Sequence, residues 1–137
     1  MQRGGVHYFK LAGRQRTGAL RQQHSATGEH LHRVCRDGSI QRLEVSGTVV
    51  GLFDGISYGE NRLNMKPGDI FVAFSDGLTE PENEYGEFGE ERLLDLIRQH
   101  REQPLSRISD VLTGAVTDWI GGNEQPDDVT LVLARAM

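Results

Sequence analysis

The spacing of the apolar residues changes after residue 75 of this 137-residue chain. Before that point, short half-apolar stretches alternate with glycine, proline and aspartate, a pattern that predicts a meander of short strands. VVGLF (49–53) and IFVAFS (70–75) are two of them, and Pro67-Gly68 predicts the turn that leads into the second. Beyond residue 75, apolar residues recur at intervals of three and four, which predicts helices. Strands followed by helices indicate the α+β class.

Two hairpins are predicted among the early strands. VHYFKL (6–11) and the stretch after it favour the first, with its turn near Thr17-Gly18. Asp37-Gly38 predicts the second, which joins residues 32–35 to residues 40–45 through a type I′ turn. Both hairpins indicate antiparallel pairing, since parallel strands need a long crossover connection.

Two amphipathic helices are predicted in the second half. FGEERLLDLIRQH (88–100) has an acidic first turn and then one apolar face, formed by Leu93, Leu94, Leu96 and Ile97. PLSRISDVLTGAVTDWIGG (104–122) keeps apolar residues at helical spacing, with Pro104 as its first residue and Gly121-Gly122 as its end. The apolar stripe that ends at Trp119-Ile120 is predicted to face the core.

The last apolar run, VTLVLA (129–134), is continuous and rich in β-branched residues, which predicts a central strand buried on both faces. We therefore expect antiparallel strands with the two C-terminal helices on one face. The length suits one ordinary domain and no linker is evident, so residues 1–137 are predicted to form a single domain.

Composition narrows the classes of function. No apolar stretch approaches the roughly 18 residues that a membrane span needs, and the N-terminus lacks a signal-peptide core. We therefore expect a cytoplasmic protein that does not enter a membrane. Residues 1–42 are basic and residues 43–137 are acidic, within a net charge of −5. The early arginines form no amphipathic stripe, so nucleic-acid binding is not expected, and the single cysteine, Cys35, is given no role.

Two aspartates flank the two most apolar strands. Asp76 follows residues 70–75, and Asp127 precedes residues 129–134. If these strands are antiparallel neighbours, both carboxylates lie at the same edge of the sheet, where they could bind Mg²⁺ or Mn²⁺. Such an ion can activate water for attack on a phosphoryl group. Asp-Gly after a strand is also ordinary turn chemistry, so Asp76 taken alone could be structural.

Other candidates for chemistry are weaker. His30 and His32 would point to one face of a strand, as a metal-binding pair might, but no third ligand is evident nearby, which favours a solvated strand face. The acidic run Glu80–Glu91 lacks the ligand spacing of a calcium loop and is interpreted as a mobile flap beside the aspartate site.

Three motifs together carry a resemblance to a known family. They are the D-G-L-T-E segment at 76–80, the F-G-x-x-R-L segment at 88–93 and the closing Q-x-D-D-x-T-L segment at 125–131. In this order they resemble the C-terminal half of the metal-dependent, PPM-type serine/threonine phosphatases. Within that family, the motifs resemble the bacterial branch typified by sporulation stage II protein E and the regulators of sigma-factor partner switching. The resemblance runs from about Gly47 to Arg135, extends weakly upstream, and implies part of an α-β-β-α sandwich.

The resemblance also implies roles for particular residues. Asp76 and Asp127 match the family's metal-binding aspartates, and supporting roles fall to Gly77, Thr79 and Asp128. The family's acidic G-G-D-x-x-D and D-V-x-G-H/K-G segments, which supply a bridging aspartate, have no counterpart in residues 1–46. We therefore expect an N-terminally incomplete domain that binds Mn²⁺ or Mg²⁺ weakly and has little or no phosphatase activity alone.

By this resemblance, the complete domain is a protein serine/threonine phosphatase that uses metal-activated water. Its expected substrates are phosphorylated anti-anti-sigma proteins in a partner-switching or stress-response pathway. The alternative is a catalytically inactive remnant that acts as a binding or regulatory module. An incomplete sheet would leave strands exposed, which favours a homodimer formed through that sheet.

Overall fold

The computed structural model of the chain describes residues 8–12, 19–23, 29–43, 54–55, 63–122 and 129–137, with the backbone alone for those before residue 31. The chain divides into two compact units, one of Met1–Gly28 with Glu44–Lys66 and the other of Glu29–Leu43 with Pro67–Met137. In the first unit, β1 (Tyr8–Ala12) pairs antiparallel with β2 (Ala19–Gln23), which confirms the strands of the first hairpin. Its turn and the VVGLF strand lie outside the described residues.

The second unit contains most of the described residues. In chain order its elements are β3 (Glu29–Val34), β4 (Ile40–Arg42), β5 (Ile70–Ser75), a 3₁₀ turn (Asp76–Leu78), β6 (Glu82–Asn83), β7 (Gly86–Glu87), α1 (Glu90–Gln99), α2 (Leu105–Ile120) and β8 (Leu131–Arg135). Four of the strands form an antiparallel sheet in the order β4-β3-β5-β8. A separate two-stranded hairpin is formed by β6 and β7.

The two helices cover one face of the four-stranded sheet, as predicted. Alternate residues of the sheet point toward them, because successive side chains of a strand lie on opposite faces. The buried core combines residues from the sheet and from both helices: Val34, Ile70, Val72 and Phe74 from the sheet, Leu93, Leu94 and Ile97 from α1, and Ile108, Leu112, Val116 and Ile120 from α2. The α+β class with two C-terminal helices on one face is therefore confirmed.

The central strand is β5, which lies between β3 and β8 and is buried along Ile70–Phe74. The prediction of a strand buried on both faces is wrong for β8. Within the described residues β8 pairs with β5 alone, and Val132 on it is 38% exposed. Although the apolar run in β8 is continuous, only one face of the strand is covered, the face on which Leu131 and Leu133 pack against the core.

The turn at Asp37-Gly38 joins β3 to β4 but is not of type I′. That type needs a positive φ at both central residues, whereas only the glycine has one, at 87°. The Cys35 N–H donates to the Ser39 carbonyl oxygen at 2.8 Å, and the Gly38 N–H donates to the Cys35 carbonyl oxygen at 2.9 Å. This pattern is that of a three-residue loop closed by a left-handed glycine.

The helix boundaries follow the sequence closely. Pro104 precedes α2 as its N-cap, with ψ of 145°, so the helix begins at Leu105, one residue after the predicted start. Gly121 ends the same helix in the left-handed conformation, with φ of 61°, as predicted. None of the helices in the described part of the chain combines the length and apolarity needed to span a membrane.

The difference in burial between β5 and β8 can be tested with one chemical change at two positions. Val72→Ala should lower the free energy of unfolding by about 2 to 3 kcal/mol, because Val72 is fully buried beneath the helices. Val132→Ala makes the same deletion in the neighbouring strand and should cost less than about 1 kcal/mol. Urea unfolding monitored by circular dichroism measures both, and equal costs would contradict the assignment of β5 as the central buried strand.

Candidate functional site

Asp76 lies directly after the central strand and begins the 3₁₀ turn Asp76–Leu78. Its carbonyl oxygen accepts hydrogen bonds from the Thr79 N–H at 3.0 Å and the Glu80 N–H at 2.8 Å. The Thr79 hydroxyl donates to the same oxygen at 3.4 Å, and its side chain is buried. The backbone around Asp76 is thus held by the residues that follow it.

Gly77 does not adopt the left-handed conformation that a glycine after aspartate commonly has in a turn. It lies inside the buried 3₁₀ turn and has no positive φ, so the chain does not use a left-handed glycine here. The turn closes instead through the hydrogen bonds to the Asp76 carbonyl oxygen. The half-buried Asp76 side chain therefore starts from a compact, hydrogen-bonded turn at the end of the sheet.

The start of the last strand lies beside the end of the central one, as predicted. The antiparallel register pairs Phe74 with Leu131. One step further, the Ser75 N–H donates to the Thr130 carbonyl oxygen at 3.1 Å, and the Thr130 N–H donates to Ser75 Oγ at 2.9 Å. The predicted antiparallel neighbours are confirmed, whereas residues 127 and 128 lie outside the described residues.

The described residues meet part of what a hard divalent cation requires. The Asp76 carboxylate supplies the oxygen donor that Mg²⁺ and Mn²⁺ prefer. Among the residues that the structure describes, however, no three His, Cys, Asp or Glu side chains are grouped so that they could hold a metal ion. The donor type fits such an ion, and the described part of the chain contributes one of the two predicted ligands.

The acidic segment that follows Asp76, which the sequence predicts to be a flap beside the aspartate site, forms a hairpin. Its two strands, β6 and β7, are closed at the base by the Phe88 N–H, which donates to the Pro81 carbonyl oxygen at 2.7 Å. The Gly89 N–H donates to the Thr79 carbonyl oxygen at 2.9 Å and joins the end of the hairpin to the Asp76 turn. A side chain at the end of α2, Trp119, also contacts the hairpin.

His32 is buried rather than solvated, contrary to the sequence interpretation. Its side chain is 2% exposed and stacks on the Phe74 ring, with 5.7 Å between the ring centroids. Its Nε2 atom lies 2.9 Å from Glu90 Oε1 at the start of α1. Arg42 lies 4.0 Å from the same oxygen. The contact between His32 and Glu90 connects the start of α1 to the sheet. Nothing in the sequence near His32 indicates this partner.

Comparison with known sequences identifies the family. A family model described as stage II sporulation protein E (SpoIIE) matches residues 20–137. Phosphoserine phosphatase RsbU of Bacillus subtilis is 30% identical over 104 residues, which are 73% of this chain and 30% of that protein. Protein IcfG of Synechocystis is 26% identical over 97 residues, which are 70% of this chain and 15% of that protein. The chain belongs to the SpoIIE family.

Two solved structures share the fold. The SiaA-PP2C domain of Pseudomonas aeruginosa superposes with a TM-score of 0.71 at 23% identity, covering 88% of this chain and 46% of that one. The phosphatase domain of the cell fate determinant SpoIIE from Bacillus subtilis, presoaked with manganese, gives 0.54 at 19% identity, covering 95% and 54%. The fold is therefore that of part of a PP2C-type phosphatase domain, and the chain spans about half the length of these domains.

The paired bonds between Ser75 and Thr130 can be tested by removing one hydroxyl. Ser75→Ala deletes the acceptor of the Thr130 N–H and should lower the free energy of unfolding by about 0.5 to 1.5 kcal/mol. Exchange of the Thr130 amide hydrogen should become faster, which nuclear magnetic resonance measures directly. Ser75→Thr keeps the hydroxyl and should preserve the slow exchange. An unchanged exchange rate of the Thr130 amide in Ser75→Ala would show that the Ser75 hydroxyl does not accept this hydrogen bond.

Proposed function

We propose that this chain is the C-terminal part of a protein serine/threonine phosphatase domain that uses metal-activated water to hydrolyse phosphoserine or phosphothreonine. The observation that carries the proposal is the pairing of Ser75 with Thr130 at the end of the sheet. It brings the chain just before β8 toward the strand end that bears Asp76. Membership of the SpoIIE family supports the same reaction class.

In this proposal, Asp76 and Asp127 supply two carboxylates to one Mn²⁺ or Mg²⁺ ion. Asp127 precedes Thr130 by three residues, so chain length alone keeps it within about 11 Å of the Ser75–Thr130 pair. A bound cation of this kind lowers the pKa of a coordinated water and neutralises charge on phosphate oxygens. The carboxylates position the ion, Asp128 supports them, Thr79 holds the Asp76 turn through its hydrogen bonds, and Gly77 lets that turn close tightly.

The proposed substrate is a phosphorylated protein, of the anti-anti-sigma type by family resemblance. The relative RsbU is named a phosphoserine phosphatase, which supports a phosphoserine substrate. We also propose that residues 1–137 belong to one domain and that the protein works in the cytoplasm. These proposals rest on the family.

A binding or regulatory module is the second candidate. It is favoured by one observation, namely that residues 1–46 contain no counterpart of the family's G-G-D-x-x-D and D-V-x-G-H/K-G segments. Two carboxylates would leave a hard cation mostly bound to water, so the ion would be held weakly and its charge poorly placed at a phosphate. In the isolated chain we therefore expect weak metal binding and little hydrolysis.

Substitution of Asp76 tests the proposed reaction. Manganese binding to the 137-residue chain is measured by isothermal titration, and release of phosphate is measured from p-nitrophenyl phosphate and from a phosphoserine protein. Asp76→Asn should weaken Mn²⁺ binding about tenfold or more and remove any Mn²⁺-dependent hydrolysis, because it deletes a charged ligand. Asp110→Asn, at an exposed position on α2, is the matched control and should change neither.

The outcomes separate the two candidates. Slow Mn²⁺-dependent hydrolysis that is lost only in Asp76→Asn supports the phosphatase. Binding of Mn²⁺ without hydrolysis favours the regulatory module. Fast hydrolysis by the wild-type chain would contradict the expectation of a weak site, and hydrolysis that is insensitive to Asp76→Asn would contradict the role of that residue.

We further propose that the chain forms a homodimer through the β8 side of the sheet. Within the described residues the outer edge of β8 carries no paired strand, and Val132 is exposed on the face away from the helices. The rest of that face is less available than expected from the sequence, because Leu31, Phe71 and Ala73 are buried. The proposed contact is therefore confined to β8.

Light scattering after gel filtration tests the dimer. The wild-type chain should have twice the mass of a 15.3 kDa monomer, and Val132→Lys should shift it to the monomer, because a charge at the contact opposes association. Thr113→Lys, at an exposed position on α2, is the control and should leave the mass unchanged. A wild-type chain that keeps the mass of a monomer at every protein concentration measured would contradict the proposal.

A further inference from the structure

The hairpin formed by β6 and β7 is attached to the end of α2 through one residue. The Trp119 Nε1–H donates to the Gly86 carbonyl oxygen at 3.1 Å. The Trp119 carbonyl oxygen accepts a hydrogen bond from Asn83 Nδ2 at 3.0 Å. Trp119 therefore bonds to both strands of the hairpin, one through its side chain and the other through its backbone.

Arg92 of α1 joins the same contact from the other helix. Its guanidinium carbon lies 4.0 Å from the centroid of the Trp119 ring, a close cation–π arrangement. Arg92 Nη1 also donates to the Phe88 carbonyl oxygen at 2.6 Å. The Phe88 ring packs edge-on against Trp119, with the two rings inclined at 77°. Arg92 and Trp119 thus hold the second strand of the hairpin between the two helices.

The hairpin depends on these contacts for its conformation. Each of its strands has two residues, and such a short hairpin is not stable on its own in water. Tyr85 at its tip is 80% exposed, so burial of the tip contributes nothing to holding it. Trp119 and Arg92 therefore contribute to holding this conformation, together with the buried Phe88 and Pro81 at the base of the hairpin.

A chain of hydrogen bonds connects this attachment to the candidate metal ligand. The Gly89 N–H, which follows Phe88, donates to the Thr79 carbonyl oxygen. The Thr79 and Glu80 N–H groups in turn donate to the Asp76 carbonyl oxygen. Loosening the hairpin would release Thr79, and with it the turn from which the Asp76 carboxylate projects.

We propose that Trp119 and Arg92 are positioning residues that hold the Asp76 turn in its metal-binding conformation by fixing the β6–β7 hairpin. The proposal rests on the proposed function, because it takes Asp76 as a metal ligand. It assigns the end of α2 a role in the site, although neither residue is expected to touch metal or substrate.

Hydrogen exchange of single amides tests the proposal without metal. Arg92→Gln removes the guanidinium and keeps a residue that favours helices. It should speed exchange about tenfold at Phe88 and Gly89 and also at Thr79 and Glu80, whose amides bond to the Asp76 carbonyl oxygen. Trp119→Phe keeps an aromatic ring but loses the bond to Gly86, and should have a smaller effect at the same amides. Arg98→Gln, which removes an exposed guanidinium from the far end of α1, should change none of them.

Each outcome decides the matter. Faster exchange that extends to Thr79 and Glu80, with β5 amides such as Val72 unchanged, supports the proposal. Faster exchange confined to Phe88 and Gly89, equal acceleration throughout β5, or no change would overturn it. In a second arm, Arg92→Gln should weaken Mn²⁺ binding about threefold or more, and Arg98→Gln should not. If the wild-type chain binds no Mn²⁺, the proposed function fails, and the exchange results alone decide the positioning role.

Discussion

The antiparallel pairing of β5 with β8 is the contact on which the rest of the structure depends. It runs from Ile70 opposite Arg135 to Phe74 opposite Leu131, and it closes with the two bonds between Ser75 and Thr130. Ordering the intervening chain of about 55 residues costs entropy, which burial of the apolar faces of both helices against the sheet offsets. The same pairing brings the start of β8 beside Asp76, so stability of the sheet and geometry of the site have a common origin.

The parts of the fold that the sequence predicted are those with a strong apolar pattern. The helices α1 and α2 were evident because their apolar residues recur at helical spacing. An acidic first turn marks the start of α1, and proline and glycine mark the ends of α2. The strand at 70–75 was evident because it is apolar and follows a turn, although the central position was assigned to residues 129–134 instead. The pairing of β5 with β8 entered the sequence analysis as the condition under which two aspartates would meet, and the structure contains that pairing. Asp76 became a candidate ligand through its place after such a strand.

The errors have physical causes. An apolar run does not reveal whether its strand is central or peripheral, because that depends on neighbours far away in the chain, and so β8 was assigned too much burial. The environment of His32 depends on Glu90, which lies 58 residues away in sequence, and no local pattern indicates that contact. The turn at residue 38 uses a longer loop than the Asp-Gly pair suggested, since hairpin geometry also depends on how the flanking strands pair. Trp119 fits the apolar face of α2 and was predicted to face the core, so its hydrogen bond to the hairpin was not predicted.

The central claim is that Asp76 and Asp127 act on one cation at the end of the sheet. A double-mutant cycle measured by Mn²⁺ titration tests it most directly, using Asp76→Asn, Asp127→Asn and the double variant. If both carboxylates bind the same ion, each single substitution should weaken binding about tenfold or more, and the double variant should bind little more weakly than the weaker single variant. Losses that add in free energy, or an Asp127→Asn variant that binds as the wild type does, would contradict a shared site.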